Sequence, residues 1–457
     1  MKEAAYHLVG VGGIGMSAIA RLLRARGAHV SGSDVRRTPL IEALESEGVQ
    51  IAIGHREENL GDAPTVVVSS AIARDNPEFV AAVDRRLRIV TRGAMLAELA
   101  QGQKLVAVGG THGKTTTTAM LASIFEQAGY DPTVVVGGIR VDTGDNARAG
   151  AGQWFVTESD ESDGSFLHLS PTIAIVTNVE NDHIASDAEL PKLLEQFVLF
   201  ANKVPAHGRV LVGNDNRGSV VVGKQARAPV TTFATRAEAD LTVTDVRYVD
   251  LGSRFTVCEL GAPLGELELL VPGEINVQNA LAAMGAARAA GIPFDAVARA
   301  LAGFHGVQRR FEIVGRGALT VVDDYAHHPT AIRETIAAAR RFAHNKPIIV
   351  AFQPHRYSRT TYLKDDFAAA LATADRVVLA PIYAASEAPI AGVSARSIGE
   401  PLAAGGTPVA YVDEVDALLD AIPREAPDGA LVLMLGAGSI SAVAHRLGER
   451  VDAAFAR

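Results

Sequence analysis

The stretch that decides the fold is KLVAVGGTHGKTTTT, residues 104–118. Small and apolar residues lead directly into glycines, a lysine and four threonines, which predicts a buried strand, a turn and the start of a helix. In such a turn the backbone N–H groups and Lys114 face bound phosphate, and the hydroxyl of Thr115 is placed to ligate Mg²⁺. The general pattern has a glycine five residues before Gly113, where this chain has Val108. We predict an ATP or GTP site, with an ordinary strand-to-helix turn as the alternative.

Length and composition limit the class of protein. At about 150 residues per domain, 457 residues predict about three domains. Acidic residues outnumber basic ones, 52 to 43, and no block of Lys and Arg is interleaved with aromatics, so we expect neither a nucleic-acid nor a membrane partner. The single cysteine, Cys258, fits a reducing compartment. Glycines and arginines interrupt the first apolar run, and no segment reaches the roughly 20 apolar residues of a membrane span, which predicts a cytoplasmic protein.

The N-terminal segment contains a second glycine-rich turn. The sequence GVGGIG, residues 10–15, follows a short apolar strand and precedes an apolar-periodic helix and a second strand. Gly10, Gly12 and Gly15 satisfy GxGxxG, and Asp34 follows about twenty residues later, as in dinucleotide-binding units. Taken alone, this pattern predicts a nicotinamide or flavin site. The residues themselves require only that a nucleotide diphosphate can approach the backbone, in a first domain that ends near residue 100.

Two polar clusters follow strands of the second unit. The first, ESDESDGSF at residues 158–166, comes directly after a buried strand, where Mg²⁺ bound to a nucleotide needs a carboxylate. Glu158 is the best-placed ligand, although a solvated acidic loop is the alternative. The second, NVENDH, ends in His183, which is either a metal or phosphate ligand or a cap of the following loop. Residues 208–268 are short and β-rich, which predicts an inserted antiparallel element.

The last third of the chain repeats the alternation of strands and helices. A helix from residue 276 to 290 carries Asn276 and Asn279 on one face, where they contact an adenine edge or cap the helix. After GVQRRFE, residues 306–312, five apolar strands alternate with helices, which predicts a third, parallel sheet. Polar residues collect after two of its strands, in DDYAHHP and QPHRYSRT. The second cluster groups His355, Arg356 and Arg359, which favour a carboxylate or phosphate.

Eight blocks together resemble the Mur ligases of bacterial cell-wall synthesis over essentially the whole chain. They are GVGGIGMSAIA (10–20), SGSD (31–34), GGTHGKTTTT (109–118), ESDESDGSF (158–166), GVQRRFE (306–312), DDYAHHPTAI (323–332), QPHRYSRT (353–360) and LGAGSI (435–440). The irregular GTHGKTT loop is the form found in that family. Within the family, the blocks are most similar to those of members that join L-alanine to UDP-N-acetylmuramate.

The resemblance implies an α/β protein with the three-domain Mur ligase architecture. Residues 1–100 would form a Rossmann-like domain for the UDP-sugar, residues 101–311 a P-loop ATPase domain, and residues 312–457 a Rossmann-like domain for the amino acid. It also implies a cytoplasmic bacterial enzyme, monomeric or homodimeric, that uses ATP and Mg²⁺. The GxGxxG turn would then bind the diphosphate of UDP-N-acetylmuramate rather than a dinucleotide cofactor.

The resemblance also implies roles for individual residues. Lys114, Arg310, His327 and His355 would be catalytic, and Thr115, Glu158 and His183 would hold Mg²⁺. The ATP-binding residues would be Gly110, Thr111, His112, Gly113, Lys114, Thr115, Thr116, Asn276, Asn279, Arg310 and Asp324. The substrate-binding residues would be Gly10, Gly12, Gly13, Ile14, Gly15, Ser33, Asp34, His55, Ser70, Tyr325, His327, His355, Arg356 and Arg359.

The implied reaction is ATP-dependent ligation of L-alanine to the lactyl carboxylate of UDP-N-acetylmuramate through an acyl phosphate. One alternative is the recycling ligase that adds a tripeptide to the same sugar nucleotide; the compact ESDESDGSFLHLSP argues against it, because that enzyme resembles EADEYD with a longer insertion. A nicotinamide-dependent oxidoreductase would leave the phosphate loop unused. A non-catalytic nucleotide switch would leave the histidines and arginines of the third domain unused.

Overall fold

The structure is a computed structural model that describes residues 4–161, 164–180, 189–343, 345–385 and 387–455. Within these residues the chain forms three sheets, one after another along the sequence, each accompanied by helices. None of the helices in the described ranges combines the length and apolar character that crossing a membrane requires. The predicted α/β architecture of three units is confirmed; the domain boundaries near residues 100 and 311 stay predictions.

The first sheet is fully parallel, with strand order β3-β2-β1-β4-β5. Its strands are β1 Ala5–Val9, β2 His29–Asp34, β3 Gln50–Ile53, β4 Thr65–Val68 and β5 Arg88–Thr91, and its helices are α1 Ile14–Ala25, α2 Pro39–Ser46, α3 Pro77–Asp84 and α4 Arg92–Leu99. A short 3₁₀ helix covers Glu57–Leu60. After β3 the chain returns past β1 to form β4, so the order in which strands are added to the sheet reverses between β1 and β4. Open α/β sheets bind ligands at such a point. The GVGGIG turn joins β1 to α1 at this point, as predicted.

The second sheet has ten strands in the order β15-β14-β13-β12-β11-β10-β6-β9-β7-β8. They are β6 Lys104–Gly109, β7 Thr133–Val135, β8 Ala147–Arg148, β9 Trp154–Glu158, β10 Ile173–Val176, β11 Arg209–Gly213, β12 Val230–Phe233, β13 Leu241–Val249, β14 Gly252–Glu259 and β15 Ala262–Leu269. The helices are α5 Lys114–Gln127, α6 Leu190–Ala201, α7 Arg217–Gln225, α8 Glu274–Ala289 and α9 Phe294–Ala302, with a 3₁₀ helix at Ser165–His168.

One expectation for this unit needs correction. The β-rich segment 208–268 is not wholly antiparallel, because helix α7 connects β11 to β12 as a crossover and the two strands pair in parallel. Within residues 208–268, β13, β14 and β15 are the strands that pair antiparallel, and they extend the main sheet. The helix behind the phosphate-binding turn begins at Lys114, immediately after Gly113, which adopts the left-handed conformation.

The third sheet has six strands in the order β16-β17-β21-β18-β19-β20. They are β16 Glu312–Arg316, β17 Thr320–Asp324, β18 Ile348–Phe352, β19 Arg376–Leu379, β20 Val409–Tyr411 and β21 Leu431–Leu435. The helices are α10 Pro329–Ala343, α11 Tyr357–Tyr362, α12 Lys364–Leu371, α13 Arg396–Ala404, α14 Leu418–Glu425 and α15 Ile440–Phe455, with a 3₁₀ helix at Val415–Ala417. Strand β16 forms an antiparallel hairpin with β17, and the other pairs are parallel, as predicted.

Burial explains why these strands form. Strands β10, β18 and β21 are buried along their whole length, and β6 is buried except for Lys104 at its start. Parallel strands covered by helices on both faces need such continuous apolar runs. The polar clusters of the sequence follow the carboxyl ends of β6, β9, β10, β17 and β18, and so lie at the ligand-binding edges of their sheets.

Candidate functional site

The phosphate loop, residues 109–114, connects β6 to α5 and depends on two glycines. Gly110 has φ 132° and Gly113 has φ 84°, both in the left-handed region. A Cβ on Gly110 would lie 2.0 Å from Oγ1 of Thr177, and one on Gly113 would lie 2.4 Å from Oδ1 of Asn279. The loop therefore passes too close to neighbouring side chains to accept any other residue at these positions.

Polar groups that follow β10 hold the phosphate loop in place. The Oδ1 atom of Asn178 accepts a hydrogen bond of 2.8 Å from the backbone N–H of His112, and its carbonyl accepts one of 3.0 Å from Thr111. The hydroxyl of Thr177 donates to the His112 carbonyl at 2.6 Å. The sequence predicts a polar cluster after this strand but gives no individual role to Thr177 or Asn178. The available signal was their position at the end of a parallel strand next to β6.

Lys114 makes a buried ion pair with the second glutamate of the acidic cluster. Its Nζ lies 2.9 Å and 3.1 Å from the two carboxylate oxygens of Glu161, and 3.2 Å from the Thr111 carbonyl. The Glu161 side chain is only 1% exposed. Burial opposes the charge on Lys114, but Glu161 and Asp160 outweigh it and raise the pKa of the ammonium, which is therefore a fixed positive charge. Glu161 was not among the residues predicted from the sequence.

Glu158 and Thr115 form an oxygen-rich pair beside the loop. The hydroxyl of Thr115 donates to Oε2 of Glu158 at 2.9 Å, and the N–H of Gly137 donates to Oε1. Burial raises the pKa of Glu158 despite the opposing effects of Gly137 and Lys114. A carboxylate and a hydroxyl in contact fit the oxygen ligands that Mg²⁺ prefers. The third predicted ligand, His183, lies outside the described residues.

The two predicted adenine-side asparagines lie on the first turns of α8. Asn279 donates to Oδ1 of Asn276 at 3.1 Å, and Asn276 donates to the Pro272 carbonyl at 2.7 Å. Both side chains line the same cavity as the phosphate loop. Further polar residues, not predicted from the sequence, line this end of the cavity: Asp215, Arg236, Glu274 and Gln278.

Residues around the start of the third unit also line this cavity. Asp324 accepts backbone hydrogen bonds of 2.7 Å from Phe311 and from Ala326, which fix its carboxylate, and burial raises its pKa although Arg310 opposes the shift. The guanidinium of Arg310 lies 5.1 Å from the centre of the Tyr325 ring, and that of Arg309 lies 4.8 Å from it. The Tyr325 ring thus lies within cation–π distance of two guanidinium groups.

One cavity of about 830 Å³ collects residues from all three units. The predicted residues that line it are Ile14, Gly15, Thr111, His112, Gly113, Lys114, Thr115, Thr116, Glu158, Asn276, Asn279, Arg310, Asp324, Tyr325 and His327. The predicted residues within the described ranges that do not line it are Gly10, Gly12, Gly13, Ser33, Asp34, His55, Ser70, Gly110, His355, Arg356 and Arg359. Gly110 nevertheless lies within the phosphate loop.

The remaining third-unit residues form a chain of contacts that begins in the cavity. The ring of His327 lies 5.5 Å from that of His355, which stacks on Tyr383 at 5.7 Å. Nη1 of the buried Arg359 lies 3.4 Å from Nδ1 of His355. Arg356 precedes α11 with φ 73° and is exposed. The structure therefore brings His355, Arg356 and Arg359 together at the end of β18, beside the cavity and next to His327, which lines it.

The remaining first-unit residues, apart from Ser70, cluster around the end of β2. The N–H of Gly12 donates to Oδ2 of Asp34 at 2.9 Å, so this carboxylate supports the GVGGIG turn. Nδ1 of His55 lies 3.0 Å from the Ser33 hydroxyl and 3.3 Å from the carboxylate of Glu78. Ser70 lies apart in an exposed turn.

Glu78 is a completely buried carboxylate that was not predicted from the sequence. Burial alone would raise its pKa, but hydrogen bonds with His7, Ser33 and Asn59 outweigh burial and lower the pKa to about 2. Its distance in sequence from Ser33 and His55 left no local signal. Glu78 thereby fixes the orientation of two predicted substrate-binding side chains.

Three family models match the chain in consecutive segments: "Mur ligase family, catalytic domain" at residues 5–104, "Mur ligase middle domain" at 108–287, and "Mur ligase, glutamate ligase domain" at 309–438. The UDP-N-acetylmuramate--L-alanine ligase of Geobacter sp. (strain M21) is 44% identical over 98% of both chains, and that of Solidesulfovibrio magneticus is 46% identical over 98% of both.

Solved structures give the same result. A UDP-N-acetylmuramate-alanine ligase from Thermotoga maritima superposes with a TM-score of 0.85 at 30% identity, covering 98% of this chain and 99% of the other. A murein peptide ligase from Psychrobacter arcticus gives 0.75 at 26% identity, covering 98% and 99%. With three consecutive domain matches, full-length relatives above 40% identity and a shared fold, the chain belongs to the Mur ligase family.

Proposed function

We propose that this protein joins L-alanine to the lactyl carboxylate of UDP-N-acetylmuramate at the expense of ATP, in bacterial peptidoglycan precursor synthesis. The observation that carries the proposal is the single cavity shared by the GVGGIG turn, the phosphate loop and the DDYAHHP segment. A ligase of three substrates needs the carboxylate, the triphosphate and the amine in one chamber. The names of the full-length relatives support this choice of substrates.

In the first step, the lactyl carboxylate attacks the γ-phosphate of ATP, forming an acyl phosphate and releasing ADP. This activation is necessary because an ionised carboxylate is a poor electrophile. Lys114 and Arg310 both line the cavity, and their charges would offset the charge on the transferring phosphoryl group. Backbone N–H groups of the phosphate loop, with Asn276, Asn279 and Asp324, would position ATP.

In the second step, the neutral amine of alanine attacks the acyl carbon, and the tetrahedral intermediate expels phosphate to leave an amide. Tyr325 and His327 line the cavity where the amine must arrive. We assign Arg359 and Arg356 to the carboxylate of alanine, since a guanidinium pairs with a carboxylate through two hydrogen bonds. His327 and His355, in ring contact, would relay the proton that the amine loses.

Mg²⁺ would be held by Glu158 and Thr115, with His183 as the further ligand that the family resemblance implies. When bound there, the ion would neutralise phosphate charge and orient the transferring group. We further propose that the GxGxxG residues, Ser33, Asp34, His55 and Ser70 bind the UDP moiety, and that the enzyme acts in the cytoplasm as a monomer or homodimer.

A steady-state assay of ADP release tests the proposal. The purified chain is supplied with ATP, Mg²⁺ and UDP-N-acetylmuramate, and then with L-alanine, glycine, L-serine or the L-alanyl-γ-D-glutamyl-meso-diaminopimelate tripeptide. We expect turnover that depends on L-alanine and on Mg²⁺. Turnover with the tripeptide alone would identify the recycling ligase instead, and no turnover with either would overturn the proposal.

A further inference from the structure

Asn146 is a buried residue of the second unit whose side chain bonds to the first unit. It is 0% exposed and immediately precedes strand β8. Its Nδ2 donates to the carbonyl of Ile14 at 2.6 Å and lies 3.0 Å from the hydroxyl of Ser17. Its Oδ1 accepts a hydrogen bond from Nη1 of Arg21. All three partners belong to α1, the helix that begins at the GVGGIG turn.

The backbone of Asn146 connects the same contact to the part of the cavity that contains Glu158, a proposed Mg²⁺ ligand. Its carbonyl accepts a hydrogen bond of 2.8 Å from Val136, the residue after β7. The next residue, Gly137, donates to Oε1 of Glu158. A continuous series of contacts thus runs from the first turn of α1, through Asn146, to a carboxylate that contacts Thr115.

Both ends of this series line the shared cavity. Ile14 and Gly15 contribute from the first unit, and Val136, Gly137 and Glu158 contribute from the second. In the proposed first step, the carboxylate of a sugar nucleotide held by the first unit must meet the γ-phosphate held by the second. A displacement of about 1 Å between reacting groups can reduce a rate about a hundredfold. The rate of the first step therefore depends on the relative position of these two walls.

We infer that Asn146 is a positioning residue that sets the GVGGIG turn against the phosphate loop for acyl-phosphate formation. This inference rests on the proposed function. A buried amide suits the role, because its two donors and its acceptor are satisfied together in one arrangement of α1, and an unsatisfied buried polar group disfavours any other. Apolar contacts between the units would allow sliding that hydrogen bonds of fixed direction prevent.

The test compares Asn146→Ala with Thr143→Ala, a control in the same loop whose exposed hydroxyl donates to Asp145. Rapid-quench measurement of ADP formation with ATP and UDP-N-acetylmuramate, without alanine, isolates the first step. We expect Asn146→Ala to slow this step at least about tenfold. We also expect the separately measured Kd values for ATP and for UDP-N-acetylmuramate to change less than about twofold, and Thr143→Ala to resemble the wild type.

A wild-type first-step rate in Asn146→Ala overturns the inference, and so does a rate loss fully explained by weaker binding of one substrate. If Asn146→Ala does not fold, Arg21→Met decides, since it removes one of the three contacts; Glu47→Gln is its control, because Glu47 pairs with the same guanidinium on its other side. A first-step rate in Arg21→Met equal to that of Glu47→Gln overturns the inference. Failure of the proposed function is distinguishable, because the wild type itself would then release no ADP.

Discussion

The Nζ atom of Lys114 lies 2.9 Å from the carboxylate of Glu161, and this carboxylate is almost fully buried. In this arrangement the lysine of the phosphate loop already has an anionic partner where a γ- or β-phosphate would otherwise bind. Nucleotide binding must therefore displace the carboxylate or share the lysine with it. A buried anion within reach of an incoming triphosphate also opposes it electrostatically.

Neutralising this competitor is expected to strengthen nucleotide binding. In Glu161→Gln, Lys114 keeps its charge but loses its ionic partner, so we expect the Kd for ATP measured by titration calorimetry to fall about tenfold. The matched control is Asp160→Asn, which also removes a negative charge near Lys114, but whose carboxylate is 39% exposed and lies beside Arg92. Weaker ATP binding in Glu161→Gln would show that Glu161 supports the nucleotide instead of competing with it.

Removal of the Lys114 side chain should impair the ATP site and leave the proposed UDP-sugar site unaffected. We expect Lys114→Ala to reduce turnover at least about a thousandfold, because the charge that stabilises the transferring phosphoryl group is lost. Binding of UDP-N-acetylmuramate should change less than about twofold, since its proposed site belongs to the first unit. Wild-type-like ADP production would refute the role assigned to Lys114.

The shape of the phosphate loop gives a third prediction. Gly113→Ala should abolish measurable ATP binding, because the new Cβ would lie 2.4 Å from Oδ1 of Asn279 at a backbone φ of 84°. Gly129→Ala is the matched control: its φ is 78°, but no atom of the described residues lies within 4 Å of the position that its Cβ would take, so it suffers the backbone strain without the collision. Strain of this kind costs about 1 kcal/mol. Equal loss of ATP affinity in both variants would assign the effect to backbone strain.

Glu78 predicts an acid-sensitive first unit. Its pKa is about 2 in the folded protein against an ordinary value of 4.5, so its stabilising effect is complete above pH 4.5 and disappears as the pH falls towards 2. The shift corresponds to about 3 kcal/mol. Hydrogen exchange of peptides from α3 and β2 should show this loss in the wild type. In Glu78→Gln, stability at neutral pH should be lower and its decline in acid smaller.

The control for this experiment is Glu57→Gln, because Glu57 pairs with Arg85 at an exposed position. Exposed pairs contribute about 0–1 kcal/mol. The Glu57→Gln protein should therefore follow the wild-type pH profile. Parallel profiles for wild type and Glu78→Gln would contradict the assignment of acid sensitivity to Glu78.

Local sequence determined the elements and much of the candidate site. Continuous apolar runs specified the buried parallel strands. Gly110 and Gly113 specified the turn, because it requires a left-handed backbone that glycine readily adopts. Because parallel strands direct their carboxyl ends to one edge of a sheet, the polar clusters after β6, β9 and β17 could be assigned to a ligand-binding edge. Lys114, Glu158 and Asp324 were predicted in this way or from the family resemblance, and all three line the cavity.

Only the tertiary structure decided which of these groups meet. The ion pair of Lys114 with Glu161 spans 47 residues of sequence, and the contact of Asn146 with Ile14 spans 132. No periodicity or spacing encodes such pairings, because they depend on how sheets and units pack rather than on local backbone preference. The sequence by itself determined the three α/β units and the chemistry each carries. Tertiary packing decided that Glu161 pairs with Lys114, and that helix α1 of the first unit is bonded to Asn146 of the second.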